Sequence, residues 1–253
     1  MLFRSVKIYT TGNTKDVQRV TNPLNCFAGG GSDDAWAEGW KQMLIQANGG
    51  DVVVIRADGK RGGYEEWLYN DSEGHGFPKV NSVTTILLDG PADAGRADVD
   101  AKIRNAEMVF FAGGYQDLYL NWITGTRMHR ALQYAMHTKQ IPFGGTSAGV
   151  AIMGDINYTA KVEPPPSSGR FLTSQEVMKN PTASYVSLER GFMNPNYMDR
   201  VILDTHFSQR QREGRLVGFM ARAASNRYGD VTPLTIRGIG VRSEEHTSEL
   251  QSH

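Results

Sequence analysis

The chain has 253 residues, 40% hydrophobic and 21% charged, with 27 basic and 27 acidic side chains. This is ordinary globular composition for one large domain or two small ones, and a formal net charge of zero leaves no basic stripe to displace counterions from a nucleic acid. The single cysteine, Cys26, excludes an internal disulfide and a cysteine-rich metal site; no stretch approaches a membrane span, and Met1 to Lys7 lacks the apolar region of a signal peptide.

In chain order, residues 1–20 are polar, with Val6 to Tyr9 as one weak strand. Cys26-Phe27-Ala28 runs into Gly29-Gly30-Gly31-Ser32-Asp33-Asp34, and Ala35 to Ala47 then carries Trp36, Trp40, Leu44 and Ile45 at helical spacing. The glycine triplet lacks the pattern of either common phosphate-binding loop and reads instead as part of a cleft wall. Gly49-Gly50 ends the helix, and Asp51 to Arg56 is a β-branched run of the kind buried on both faces of a parallel sheet. A loop starts at Ala57-Asp58-Gly59. A short helix is expected over Tyr64 to Tyr69, a strand over Ser82 to Leu88 and a helix over Ala94 to Asn105. A buried strand follows from Glu107 to Ala112 and ends in Gly113-Gly114; helices come next over Leu118 to Trp122 and Met128 to Thr138. Strands alternating with helices across 24–155 predict a flavodoxin-like, doubly wound α/β fold, a mostly parallel sheet with helices on both faces.

Residues 155–200 read differently. Glu163 to Gly169 is irregular, and Ser174 to Lys179 is a helical turn with Ser174 at its cap position, stopped by Asn180-Pro181. Arg200 to Asp204 returns to strand, Arg210 to Ala224 is an arginine-rich helix, and Leu234 to Val241 is a last strand. Arg242 to His253 reads as the conceptual translation of a short-read sequencing adapter, or else as a disordered polar tail. It is set apart from a single domain over 1–241, and its His246 and His253 are not site candidates.

The stretch Gln140 to Met153 carries the chemistry. A short apolar strand enters Gly145-Thr146-Ser147-Ala148-Gly149 and an apolar helical segment leaves it, which is the Gly-x-Ser-x-Gly pattern of a nucleophile elbow. Small neighbours let strand and helix close around a serine whose hydroxyl is pushed outward, and the free N–H groups of the helix start favour developing negative charge. Such a serine needs a base. His75 lies in a soft loop, and His129 and His137 lie on the helix before the elbow strand. His206 sits just past a strand end, where α/β sheets place active-site groups. The N–H groups of Gly114 and Ala148 would form an oxyanion hole if the strand ending at Gly113 lies beside the elbow strand. Arg210, Arg212 and Arg215 are either a solvated helix face or a clamp for a substrate carboxylate.

Three separated segments, Gly113-Gly114-x-Gln116, Gly145 to Gly149, and Asp204-Thr205-His206 through Leu216, together resemble the cyanophycinase-like serine peptidases. The relatives of that family are the α-aspartyl dipeptidases and, more remotely, the class I glutamine amidotransferase fold. The resemblance runs over residues 8–241. It implies Ser147 as nucleophile, His206 as base and an intervening glutamate as third member. Asp155, Glu163, Glu176 and Glu189 lie in that interval, and Glu176 fits the family spacing best. It also implies that Gln116, Asp204, Arg210, Arg212 and Arg215 line the substrate cleft. Tyr115 stands where the family usually has aspartate, and the family continues through further strands and helices past the point where this sequence stops.

The expected activity is hydrolysis of the β-aspartyl-arginine linkages of cyanophycin to β-Asp-Arg dipeptides, without metal or organic cofactor. The expected partner is a peptide or cyanophycin-like substrate, with neither nucleic acid nor membrane and with a homodimer as an option. The chain as it stands reads as cytoplasmic, with a longer secreted parent as the alternative. Two other readings are a peptidase for small Asp-containing or isoaspartyl peptides, and a catalytically silent ligand-binding relative.

Overall fold

The computed structural model describes residues 6–31, 36–57, 61–165, 171–226 and 235–243. The expected features at Ser32 to Ala35, at Asp58-Gly59, at Leu234 and from residue 244 onward lie outside the described residues. The chain forms two compact units, Met1–Phe27 with Glu38–Gly149, and Ala28–Ala37 with Val150–His253. No helix among the described residues is long and apolar enough to cross a membrane.

The first unit holds, in chain order, β1 (Lys7–Gly12), β2 (Asn25–Ala28), α1 (Ala37–Gln46), β3 (Asp51–Ala57), α2 (Tyr64–Asn70), β4 (Ser82–Leu88), α3 (Pro91–Ala94), α4 (Ala97–Asn105), β5 (Met108–Phe111), α5 (Gln116–Ile123), α6 (Arg127–Tyr134) and β6 (Phe143–Thr146). Six strands form one sheet in the order β1-β4-β3-β5-β6-β2. The pairs β4–β3, β3–β5 and β5–β6 are parallel, and β1 is an antiparallel edge on β4. The strands expected to be buried on both faces are so: Val52 to Ile55 and all of β4 are inaccessible or nearly so.

Helices cover both faces, as the register shows. Val54 and Phe110 stand level on one face, and Phe110 stacks on Trp40 of α1, with ring centroids 4.0 Å apart. On the same face Thr85 donates to the buried Glu65 of α2 (2.6 Å). Val53 and Thr84 point the other way and line a crevice of about 250 Å³ with Asp98, Ala101 and Lys102 of α4. This cavity lies toward the amino ends of β3 and β4, where Asp51 and Ser82 also line it.

Two helices differ from the sequence reading. The helix expected over Ala94 to Asn105 breaks at Gly95 into α3 and α4. The helix expected over Met128 to Thr138 widens into a π turn over Ala135–Lys139, which stops at Gln140 in the left-handed region (φ 57°). Lys139 at its end donates to the carbonyls of Asn105 and Ala106 (2.8 Å each) and pairs with Glu107 (2.9 Å), so it caps the carboxyl end of α4. The Glu107 carboxylate is fully buried; burial pushes its pKa up, against the pull of the Asp51 N–H and of Lys139.

The boundary between the units falls within α7 (Ala148–Ala151); the second unit then holds β7 (Ile156–Tyr158), α8 (Ser174–Lys179), β8 (Leu188–Arg190), β9 (Val201–Asp204), α9 (Glu213–Asn226) and β10 (Arg237–Gly240). Its sheet runs β10-β9-β7-β8, with β9 parallel to both neighbours and β8 antiparallel to β7. Val177 of α8 and Leu216 and Phe219 of α9 bury a core with Ile156, Tyr158 and Ile202, in which the Tyr158 and Phe219 rings stack at 4.5 Å. The cap of α8 is Thr173, whose hydroxyl accepts the Glu176 N–H, and not Ser174. Ser174 is used elsewhere: its hydroxyl donates to the Gln211 carbonyl and accepts the Arg215 N–H (3.0 Å). The arginine-rich helix starts at Glu213, because residues 206–212 are turns with Gln211 in the left-handed region.

Substituting Lys139→Met should destabilise the first unit by about 3 kcal/mol at pH 7, because it leaves a buried carboxylate without its cation. Glu107 has a raised pKa, so its ionised form is the costly one, and that cost fades as pH falls and the group protonates. Urea melts of parent and variant should therefore show a smaller difference at pH 4 than at pH 7; equal differences would remove Glu107 from the explanation.

Candidate active site

In the first unit, β6 delivers the chain to Ser147, which holds a left-handed backbone (φ 51°) between Thr146 and the first residue of α7. A non-glycine residue in that region is strained, and strain of this kind gathers at functional sites. The neighbours explain how the turn closes. A Cβ on Gly149 would overlap the Phe111 carbonyl oxygen, and one on Gly145 would come within 2.8 Å of the Gly149 carbonyl carbon. Glycine at both positions is therefore a packing requirement. Ser147 itself is half-buried between the buried Thr146 and Ala148.

The strand ending at Gly113 does lie beside the elbow strand, with Phe111 level with Gly145. A Cβ on Gly113 would stand 3.5 Å from that of Ser147, and one on Gly114 would stand 3.4 Å from the Ala57 carbonyl oxygen. Gly114 is exposed with φ 147°, and Gln116 opens α5, half-buried, after the exposed Tyr115. The ends of β3 and β5 are pinned by a residue the sequence reading passed over. The buried Tyr119 hydroxyl donates to the carbonyls of Ile55 (3.0 Å) and Ala112 (2.8 Å). Its only sequence signal was an aromatic on an apolar helix face, which is equally the mark of a core residue. The helix after the serine is a single turn, so local N–H groups and not a long helix dipole would serve a developing charge there. Cys26 is no rival nucleophile, since burial pushes its thiol up to about 11.

In the second unit, β9 carries Asp204 and ends two residues before His206, whose backbone is also left-handed (φ 48°). The glycine triplet forms the wall expected of it: His206 N–H donates to the Gly29 carbonyl (2.8 Å), and a Cβ on Gly30 would overlap the imidazole ring. Burial, first, and then the cations Arg210, Arg212 and Arg215 push the His206 pKa down to about 4, while Asp204 opposes them. The imidazole is therefore neutral at pH 7, the form a general base requires. Its Nδ1 lies 2.8 Å from the Ser243 hydroxyl, and Ser243 exchanges two hydrogen bonds with the Gln209 side chain (3.0 and 3.1 Å). Ser243 is the second residue of the adapter-like segment, so two residues set apart by their sequence, Arg242 and Ser243, lie against Gly29 and His206.

Asp204 is buried and accepts two hydrogen bonds from one edge of the Arg215 guanidinium, Nε at 2.9 Å and Nη2. Arg215 is buried too, with its guanidinium over the Tyr158 and Phe219 rings. Arg212 is buried, donates to the Thr205 carbonyl (2.7 Å), and is pushed down to about 9, chiefly by burial. These two cations hold the turn that carries His206. Arg210 is exposed, with its guanidinium 4.5 Å from the Phe171 ring. Of the four acidic candidates, Asp155 is buried and bonded to Arg190, Glu189 pairs with Lys161, and Glu163 is exposed. Glu176 is half-buried in the first turn of α8, the helix that Ser174 ties to the segment following His206.

No protein-family model matches this sequence, and no curated protein does. Among solved structures 13 chains match. One is the crystal structure of a peptidase from an acI-B1 Actinobacterium, with a TM-score of 0.55 over 88% of this chain and 82% of that one, at 13% identity. The likeness establishes a shared α/β fold.

Removing Arg210 takes away the largest electrostatic cause of the low His206 pKa. In Arg210→Ala the His206 titration, followed by NMR of the imidazole, should move up from about 4 toward 6.5, the ordinary value. In the parent the depressed pKa means that folded-state stability is lost as pH falls from about 6.5 to about 4, with no contribution above that window. An unmoved titration in Arg210→Ala would leave burial, with Arg212 and Arg215, as the cause.

Proposed function

We propose that this chain is a serine peptidase of the cyanophycinase kind. The observation that carries the reading is Ser147, a strained serine at the carboxyl end of a parallel strand, flanked by glycines that admit no side chain. Ser147 Oγ attacks the scissile carbonyl, and neutral His206 accepts its proton and returns it to the leaving amine. The N–H groups of Gly114 and Ala148 hold the oxyanion, and Glu176 orients His206. Support comes from the three-segment resemblance and from a fold shared with a chain described as a peptidase. The substrate class rests on the resemblance alone: the β-aspartyl-arginine linkage of cyanophycin, released as β-Asp-Arg, with Arg210 and Gln116 in the cleft.

The primary test is incubation with insoluble cyanophycin granules, with mass spectrometry of what is released and fluorophosphonate labelling of the serine. The parent should release β-Asp-Arg and label at Ser147. Ser147→Ala should lose about 10⁴-fold or more in turnover with an unchanged melt, since only the hydroxyl is removed. Residual turnover within about tenfold of the parent would remove Ser147 from the mechanism. A folded parent that neither labels nor hydrolyses any peptide would make the chain a binding protein. Hydrolysis of short aspartyl peptides without action on granules would move the substrate to that class.

The third member is tested separately. Glu176→Gln should depress kcat strongly with little change in KM, because the carboxylate stabilises the imidazolium formed in the transition state. Glu163→Gln and Glu189→Gln are the controls, and a deeper loss in either would reassign the role.

A further inference from the structure

Arg56 stands at the carboxyl end of β3 in the first unit, on the face that carries α1 and α2. Its guanidinium lies 5.7 Å from the centre of the Tyr64 ring, and Nη1 takes the place that a Cβ on Gly62 would occupy. Gly62 has φ 80°, so the backbone there suits a residue without a side chain. The Nε of Arg56 is buried and has no hydrogen-bond partner. In the same unit Arg61, Arg96, Arg104 and Lys139 each pair with a carboxylate, whereas no ion pair is formed by Arg56 among the described residues. A buried guanidinium nitrogen without an acceptor is costly, and its persistence calls for a cause.

The position supplies one. Ile55, Phe111 and Gly145 stand level on adjacent strands β3, β5 and β6. Arg56 is one residue past Ile55 and Ser147 two past Gly145, so their backbones lie two strand spacings apart, about 10 Å. Gly113 and Gly114 bridge that gap, the first against Ser147 and the second against the Ala57 carbonyl. At about 3.3 Å per residue, that distance spans about three residues.

We propose that Arg56 is a specificity-determining residue that binds a carboxylate of the peptide cleaved at Ser147, about two or three residues from the scissile bond. This rests on the peptidase reading above. The planar fork would satisfy the orphaned Nε and a neighbouring Nη together on one carboxylate, a pairing that an ammonium cannot reproduce. The carboxylate is either an acidic side chain or the carboxyl terminus of a short peptide.

The experiment uses three tripeptides: one ending in aspartate, the same peptide ending in asparagine, and the aspartate peptide with an amidated C-terminus. Arg56→Met should raise KM for the aspartate peptide by roughly ten- to a hundredfold with kcat little changed. The analogue that lacks the recognised carboxylate should be insensitive to the substitution, which identifies the source. Arg56→Lys should restore charge but only part of the affinity. Equal KM changes on all three peptides, or none on any, would return Arg56 to a role in packing on Tyr64. If the parent hydrolyses none of them, the peptidase reading fails independently, and calorimetric binding of the same peptides decides the point. Binding of the aspartate peptide that is lost in Arg56→Met but not with its insensitive analogue upholds the inference, and binding that is absent or indifferent to the substitution overturns it. Thermal melts of each variant separate loss of fold from loss of recognition.

Discussion

The close approach of the Gly149 backbone to the Phe111 carbonyl is the constraint on which the first unit's site depends. It lets the turn after β6 fold back onto the end of β5, where any Cβ would intrude. From this contact follow the left-handed backbone of Ser147 and its half-buried place beyond the strand end. The nearness of Gly113 belongs to the same arrangement, and Tyr119 reinforces it by tying the ends of β3 and β5 together through two carbonyls. The strain at Ser147 sits at the end of strands whose Phe111 and Phe143 are all but inaccessible to solvent. Interiors packed at crystal density transmit such constraint without yielding.

The second unit applies a different principle at His206. Its turn is held by buried cations, and the same cations add to the burial that lowers the imidazole pKa. Arg215 saturates Asp204, and Arg212 satisfies the Thr205 carbonyl. The charge that fixes the turn thus also contributes to the lowered pKa of the residue it carries. Burial dominates that shift and the arginines add to it. An ion pair as buried as Asp204–Arg215 gives little net stability; its firmer consequence here is a defined geometry after β9.

The elements legible in the sequence were those with strong local signals. β-branched runs bounded by glycines gave β3 and β4 nearly to the residue, and the Gly-x-Ser-x-Gly pattern placed the elbow between β6 and α7. Where local signals compete, the reading slipped. Ser174 and Thr173 are both good caps, and the choice fell to Thr173 because Ser174 is engaged by Gln211 and Arg215 from another element. Arg210 and Arg212 were expected in one helix with Arg215, yet they precede it, because the stretch after β9 is bound by the Thr205 and Asp204 contacts before the helix begins.

By itself, then, the sequence determined the fold class, the strand that carries the serine and the histidine at the next strand end, because these follow from periodicity, glycine placement and turn chemistry within short windows. Tertiary structure alone decided which arginines are spoken for, that Arg56 is left with an unmet donor, and that the glycine triplet is the wall of His206. It also decided that Tyr119 clamps two strand ends. Each of these depends on which groups meet across many residues of chain, and a side chain's partner, unlike its propensity, is not written in its neighbours.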